Sequence, residues 1–143
     1  MLYTDATKRA MKLCYQAHRY QTDKSGIPYV FHPIHLAEQM DDEATTVTAL
    51  LHDVVEDTAY TIKDLEALGF APEVLDALTL LTHADGVPYL EYVAAIKQNP
   101  IARAVKLADL AHNSDLTRLD TVDAKALARV EKYRQAIALL TER

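Results

Sequence analysis

The sequence predicts an all-α fold, and three observations support this prediction. Apolar residues recur at three- and four-residue steps through most of the 143-residue chain, and this spacing places them on one face of a helix. Proline, glycine and capping residues stand where these segments begin and end. No run shows the alternation of apolar and polar side chains that is typical of a half-buried strand, and residues 29–31 are the only β-prone triplet.

The first half of the chain is predicted to contain three helices. Thr4 is a suitable N-cap for a first helix of residues 5–20, and the segment 21–29, which contains glycine and proline, is a loop. A short helix of residues 33–40 begins with a proline, which suits the first turn. Two aspartates then open a helix that continues through residues 41–55.

The second half of the chain contains helix-boundary residues of the same kinds. Thr61 and Asp64 form a capping box, and Gly69 fits the end of that helix. The last helix should present one apolar stripe. The predicted helices are residues 61–69, 72–81, 89–98, 100–111 and 123–141, and the stripe consists of Leu127, Val130, Tyr133, Ile137 and Leu140.

Length and composition indicate one globular domain over residues 1–143. Half of the residues are apolar and 25% are charged, but the apolar stretches are far shorter than the roughly 20 residues that span a bilayer. The N-terminus lacks the basic and apolar regions of a signal peptide. Cys14 is the only cysteine and cannot form an internal disulfide. We therefore expect a cytoplasmic protein that does not enter the membrane.

The formal net charge of −6 is unevenly distributed. Residues 1–28 contain five basic and two acidic residues, so the rest of the chain is strongly acidic. An acidic chain without a long basic stripe is a poor candidate for binding duplex nucleic acid. A small anionic ligand held by a local basic patch and a metal ion remains compatible with this charge distribution.

Four ionisable residues interrupt the apolar segment around residue 52. His52, Asp53, Glu56 and Asp57 lie within it, and the four-residue spacing of His52 with Glu56 and of Asp53 with Asp57 places each pair on one face of a helix. Burying such groups is costly unless a partner compensates for their charge. A divalent cation would compensate directly, and imidazole with carboxylate ligands suits manganese, iron or zinc.

His32 and Asp109 have the same character. His32 follows an apolar and aromatic run, Asp109 lies on an otherwise apolar helix face, and Asn113 points the same way four residues later. Together with His52 and Asp53 they offer two nitrogen and two carboxylate ligands, with open positions for water.

Structural interpretations compete with these functional ones. A buried histidine is more often a hydrogen-bonded core residue than a ligand, and this interpretation is favoured for His18 and His35. His83 stands near a helix end, where a cation is favourable in any case. Tyr29 could be a core or rim aromatic, and Lys24 an ordinary loop lysine.

Four segments resemble the HD-domain hydrolases of the RelA/SpoT type. They are HDVVED (52–57), KSGIPY (24–29), His32 with Pro33, and KLADLAHN (106–113). The resemblance covers about residues 10–119, and the single-domain small alarmone hydrolases are the closest in size. It implies an all-α HD-domain helical bundle followed by the C-terminal helix. It also implies no synthetase activity, because the longer members carry the synthetase in a domain after this one.

The resemblance further implies a reaction, a metal and residue roles. The family removes the 3′-pyrophosphate from (p)ppGpp and binds one Mn²⁺ ion, although the ligand types alone do not exclude iron, cobalt or zinc. The implied metal ligands are His32, His52, Asp53 and Asp109. Glu56 and Asp57 would be the acid/base and water-orienting pair, and Asn113 would help to position the attacking water. Lys24 and Ser25 would contact the nucleotide, and Arg19 and Tyr29 are further candidate substrate-binding residues.

Three departures from the family pattern affect the substrate. Many members have arginine where this chain has Asp23, and basic residues where it has Leu110 and Asp115. An acid in place of an arginine repels a phosphate that the arginine would bind. The substrate could therefore be (p)ppGpp or another purine alarmone. Alternatives are an HD-superfamily nucleotidase or phosphodiesterase, a non-catalytic nucleotide-binding module, and a helical scaffold. The oligomeric state is left open by the sequence.

Overall fold

The computed structural model describes residues 1–142, which form nine α-helices and one 3-10 helix. Within this range the only β pairing is a single bridge between Thr22 and Pro28, so the predicted all-α class is confirmed. The helices are α1 (Asp5–Ala17), α2 (Phe31–Glu38), α3 (Glu43–Leu51), α4 (Val54–Asp57), α5 (Ile62–Ala67), α6 (Pro72–Leu81), α7 (Tyr89–Lys97), α8 (Pro100–Asn113), the 3-10 helix Leu116–Arg118, and α9 (Ala124–Thr141).

The predicted start of α1 is confirmed, but its predicted end is wrong. The Thr4 hydroxyl accepts a hydrogen bond from the Thr7 amide, and the Thr7 hydroxyl accepts one from the Thr4 amide. The helix ends at Ala17 rather than at residue 20, because His18 leaves the helical conformation and its carbonyl accepts from the Gln21 amide at 3.0 Å. This turn leads the chain into the loop that precedes α2.

Helix α2 begins two residues earlier than predicted. Its first residue is Phe31, so Pro33 lies in the first turn, where a missing backbone N–H costs little. The helix ends at Glu38 instead of Met40. The early start brings His32 onto a helix that packs against α3 and α8.

The prediction of a single helix through residue 55 is wrong, because the helix is interrupted at His52 and Asp53. Asp53 has φ −105° and ψ 0° and stands outside both helices. The His52 side chain bonds through Nδ1 to the Ala49 carbonyl at 2.7 Å. Because of the break, His52 and Glu56 do not share one face of a continuous helix.

The boundaries of the later helices are set by capping residues. Thr61 and Asp64 form the predicted capping box of α5, and Gly69 follows that helix with φ +87°, a conformation that favours glycine. Asn99 caps α8 by accepting from the Ala102 amide. In α9 the predicted stripe is partly wrong, because Leu127 is 55% exposed and Ala126 faces the core instead.

Helix α3 lies at the centre of the core and packs against α1, α2, α6 and α8. Its residues 46–51 are all buried. Since His52 directly follows the last residue of α3, Leu51, this central helix carries a polar residue directly into the interior. Among the described residues, no helix is long and apolar enough to cross a membrane.

The N-cap of α3 gives a prediction about stability. Asp42 Oδ1 accepts from the Thr45 amide at 2.8 Å and from its hydroxyl at 2.6 Å. We expect Asp42→Ala to lower the free energy of unfolding by about 1 kcal/mol, as loss of an N-cap does. Urea denaturation measures this change. The exposed neighbour Asp41 provides the control, and Asp41→Ala should leave the urea midpoint unchanged.

The same cap should make a pH-dependent contribution. The bonds from Thr45 lower the pKa of Asp42. The stabilisation is therefore complete above the unfolded-state pKa of about 3.9 and is lost as the pH falls through the lower folded-state value. The stability difference between wild type and Asp42→Ala should shrink in strong acid, and a constant difference would contradict the assignment.

Cys14 should be chemically inert in the folded chain. Its side chain is 1% exposed, and burial, with a smaller contribution from Asp53, raises its pKa to about 12. Since the thiolate is the reactive form, a disulfide reagent at pH 8 should modify the native chain very slowly. In denaturant, the single thiol of the same chain should react at once with one equivalent of the reagent. Rapid modification of the native chain with unchanged helical content would contradict this prediction.

Candidate metal centre and active site

Three buried side chains from three helices converge at one point. His32 on α2, His52 at the end of α3 and Asp109 on α8 each offer one ligand atom, and these atoms lie within 4.8 Å of one another. His32 Nε2 is 2.9 Å and His52 Nε2 is 3.6 Å from Asp109 Oδ1. Two imidazoles and a carboxylate are a donor set that divalent transition metals accept. The three residues could therefore hold a metal ion.

The orientation of His52 supports this interpretation. Its Nδ1 is 2.7 Å from the Ala49 carbonyl, and this contact requires the proton to be on Nδ1. The other nitrogen, Nε2, faces the carboxylates of Asp53 and Asp109 at 3.0 and 3.6 Å, and a bound cation would take the place of its proton. It is buried and has no hydrogen-bond partner among the described residues. An unpartnered buried nitrogen beside a carboxylate fits a cation that binds both.

Asp53, the fourth predicted ligand, lies beside the three-residue cluster. Its Oδ2 is 3.0 Å from His52 Nε2, and the Tyr29 hydroxyl donates a hydrogen bond to the same oxygen. Tyr29, a candidate substrate-binding residue, therefore holds Asp53 in this structure. The sequence predicts this proximity, although His32, the adjacent pair His52 and Asp53, and Asp109 lie far apart in the chain.

The electrostatics of the centre favour a positive charge. Burial lowers the pKa of His32, which keeps this imidazole neutral. Burial alone would lower the pKa of His52, but the carboxylates of Asp53 and Asp109 outweigh burial and raise it. The pKa of Asp109 is held well below its usual value, because His32, His52 and Lys106 together outweigh the effect of burial.

Lys106 is a charged neighbour that the sequence pattern does not single out. Its ammonium group is 3.0 Å from Asp109 Oδ2, and both side chains are about nine-tenths buried. Burial disfavours the ammonium form, but Asp109 outweighs this effect and raises the pKa of Lys106. The signal was available in the sequence, because a lysine three residues before a buried aspartate lies on the same helix face.

His112 contacts the other side of His32. The two Nδ1 atoms are 2.7 Å apart, and the rings are stacked with centroids 5.0 Å apart. Burial, with nearby positive groups, lowers the pKa of His112 to about 4, so this ring is neutral at pH 7. A neutral His112 can accept a hydrogen bond from the Nδ1–H of His32. In that tautomer, Nε2 of His32 carries no proton and is free to bind a cation.

The two predicted acid/base residues have different surroundings. Glu56 lines a cavity of about 210 Å³ together with Asp109 and Asn113, and its Oε1 accepts from the His83 amide at 3.1 Å. Asp57 is not among the residues that line this cavity. Partial burial, with Asp53 nearby, raises the pKa of both carboxyl groups.

A second cavity, of about 320 Å³, contains most of the predicted nucleotide contacts. Lys24, Ser25 and Tyr29 line it, and so do Asn113 and Arg118. A cavity with a lysine and an arginine at its wall can hold an anionic ligand.

Arg19 lies outside the wall of the second cavity, whereas Asp23 is part of it. The structure places the Arg19 guanidinium over the Tyr20 ring, 5.3 Å from its centroid, and not among the residues that line the second cavity. Asp23 is at the cavity wall, and its Oδ2 is 3.9 Å from Arg118 Nη2. Arg118 therefore partly offsets the negative charge that Asp23 introduces, although the sequence pattern gives Arg118 no role.

The three histidines with structural interpretations occupy different positions. His18 is buried, and its Nδ1 bonds to the Gln21 side chain at 2.8 Å. His35 stacks on His112 with centroids 4.0 Å apart. His83 bonds to the Val87 carbonyl through Nε2. None of the three belongs to the cluster of possible metal ligands found in residues 1–142.

Comparison with curated proteins shows relatives over most of the chain. The sequence is 39% identical over 121 residues to the probable GTP pyrophosphokinase of Mycobacterium leprae (strain TN), an alignment that covers 74% of this chain and 15% of that protein. It is 33% identical over 121 residues to the bifunctional (p)ppGpp synthase/hydrolase SpoT of Escherichia coli (strain K12), covering 74% of this chain and 17% of that protein. The chain thus spans less than a fifth of the length of these relatives. No family model matches the sequence.

A solved structure has the same fold over nearly the whole chain. It is described as a metazoan ortholog of SpoT that hydrolyzes ppGpp and plays a role in starvation responses. The TM-score is 0.81, the sequence identity is 24%, and the match covers 99% of this chain and 89% of the other. The helical bundle that the sequence resemblance implies is therefore confirmed.

Proposed function

Since this chain is a homologue of the RelA/SpoT proteins and has the all-helical HD fold, we propose that it removes the 3′-pyrophosphate from (p)ppGpp or a related purine alarmone in a metal-dependent reaction. The observation that carries this proposal is the convergence of His32, His52 and Asp109 from three helices. The buried Nε2 of His52, which has no hydrogen-bond partner among the described residues and lies beside two carboxylates, supports the proposal.

We propose Mn²⁺ as the ion and Asp53 as the fourth ligand. The donor set of two imidazoles and two carboxylates fits this ion. When bound, a divalent ion supplies Lewis acidity to the phosphoryl group and to a water nucleophile. Lys106 holds Asp109 through Oδ2, which leaves Oδ1 directed at the histidines. Tyr29 holds Asp53 by a hydrogen bond to Oδ2, the oxygen that faces His52 Nε2.

The hydrolytic step needs a proton acceptor close to the attacking water, and Glu56 is suited to that role. The water oxygen forms a bond to the phosphorus that carries the 3′ oxygen, and the bond between that phosphorus and the 3′ oxygen breaks. The proton released by water passes to Glu56 and then to the 3′ oxygen, giving pyrophosphate and a nucleotide with a free 3′ hydroxyl. Glu56 shares its cavity with Asp109, and its raised pKa brings it closer to neutral pH. Asn113, which lines the same cavity, would orient the water, whereas Asp57 lies outside this cavity wall.

The nucleotide would occupy the cavity that Lys24 and Ser25 line. Lys24 and Arg118 supply positive charge there, whereas Asp23 reduces it. The balance is compatible with a phosphorylated purine nucleoside but does not select guanine over adenine.

Hydrolysis assays with ppGpp and ppApp in the presence of Mn²⁺ test the proposal. We expect release of pyrophosphate, identified by chromatography of the products, and loss of activity when a chelator is added. Release of orthophosphate instead would indicate an HD-superfamily nucleotidase or phosphodiesterase. Nucleotide binding by calorimetry without turnover would indicate a non-catalytic module, and either result would overturn the proposal.

A further inference from the structure

Arg118 joins the 3-10 helix to two other parts of the candidate site. Its Nη1 donates to the His112 carbonyl at 2.9 Å and to the Asn113 side-chain oxygen at 3.2 Å. Its Nη2 is 3.9 Å from Asp23 Oδ2, and the side chain is 24% exposed. A guanidinium group presents several N–H donors in a fixed plane, so it can bind these partners at once.

The Asn113 amide has donors on one side and an acceptor on the other, and both are used. Its Nδ2 donates to Asp109 Oδ1 at 2.9 Å, while its Oδ1 accepts from Arg118. A reversed amide would bring its oxygen against the carboxylate of Asp109 and its NH₂ group against the guanidinium of Arg118. Arg118 therefore disfavours the reversed orientation and holds the N–H donor towards Asp109.

The position of the 3-10 helix does not depend on the guanidinium group. The Arg118 carbonyl accepts from the Ser25 hydroxyl at 2.8 Å. Asp115 accepts from the Thr117 amide and hydroxyl, which caps this short helix. Removal of the Arg118 side chain beyond its aliphatic part should therefore leave the backbone in place.

From this chain of contacts we propose that Arg118 is a positioning residue for the metal centre and acts on Asp109 through the Asn113 amide. Asp23 helps to hold the guanidinium in place. The inference rests on the proposed function insofar as His32, His52 and Asp109 bind a divalent ion. Outer partners that orient metal ligands typically change metal affinity by about 10–100-fold when they are removed.

Binding of Mn²⁺ to the substrate-free chain tests this role without any assay of activity. We expect Arg118→Met to weaken Mn²⁺ binding about tenfold or more in calorimetry, with little change in the melting temperature of the metal-free chain. Asn113→Ala should cause a similar loss. The double variant should bind no more weakly than the weaker of the two single variants, because both remove the same interaction. Arg103→Met on the exposed face of α8 is the matched control and should bind Mn²⁺ as the wild type does.

The outcomes separate this inference from the proposed function. Wild-type affinity in Arg118→Met, or additive losses in the double variant, would overturn the role of Arg118 and leave the metal centre intact. Absence of Mn²⁺ binding by the wild type would overturn both. A loss of affinity that is matched by an equal fall in the melting temperature of the metal-free chain would show a general structural role and overturn the inference.

Discussion

Asp109→Asn is expected to abolish hydrolysis and to weaken Mn²⁺ binding by more than the roughly 10–100-fold that loss of an outer partner causes. Asp109 is 7% exposed, and its Oδ1 lies 2.9 Å from His32 Nε2 and 3.6 Å from His52 Nε2, so its carboxylate is a negative charge that both histidines share. Asparagine has nearly the same shape and keeps a carbonyl oxygen for the Asn113 amide, but it removes the charge. The measurements are turnover of ppGpp and calorimetry with Mn²⁺.

A loss of folding must be distinguished from a loss of the metal. Asp109→Asn leaves Lys106 buried without its charged partner, and breaking such a pair costs about 3–5 kcal/mol. The double variant Asp109→Asn, Lys106→Met removes both charges and should recover most of the stability, because replacing both members of a buried pair is often neutral. It should still bind Mn²⁺ as weakly as Asp109→Asn does. Recovery of metal binding together with stability would show that Asp109 is not a ligand.

The ends of most helices could be predicted, because capping residues close in sequence determine them. Thr4 and Asp64 satisfy backbone groups within three residues of themselves, so their effect is visible in the sequence. The break at His52 could not be predicted in this way. Apolar periodicity continues across it, and the interruption depends on tertiary contacts such as those between Asp53 and Tyr29.

The convergence of His32, His52 and Asp109 was predictable for a different reason. His52 and Asp109 are polar residues on otherwise apolar helix faces, and the cost of burying them indicates a partner. His112 and Arg118 carry no such signal, because one lies near a helix end and the other in a short 3-10 helix. These two residues gain their contacts only when the end of α8 and the 3-10 helix pack against α2 and the loop before it. The sequence pattern alone does not show this packing.

Glu56→Gln is expected to lower kcat by about 10²–10⁴-fold, the usual contribution of a positioned general base. Glutamine keeps an oxygen that can accept from the His83 amide, as Glu56 does at 3.1 Å, so the local structure should survive. Mn²⁺ affinity and the melting temperature should therefore remain close to those of the wild type. Steady-state kinetics with saturating Mn²⁺ measures the change, and Glu66→Gln on the exposed face of α5 is the control.

The pH dependence of kcat distinguishes Glu56 from the adjacent carboxylate. A base must be ionised to accept a proton, and partial burial raises the pKa of Glu56 above its usual value. Activity should therefore fall as the pH decreases through this raised pKa, at a higher pH than an ordinary carboxyl group would give. The residual activity of Glu56→Gln should lack this acidic limb, whereas Asp57→Asn should retain it, because Asp57 is not part of the cavity wall beside Asp109. If Asp57→Asn loses the limb and Glu56→Gln keeps it, the general base is Asp57.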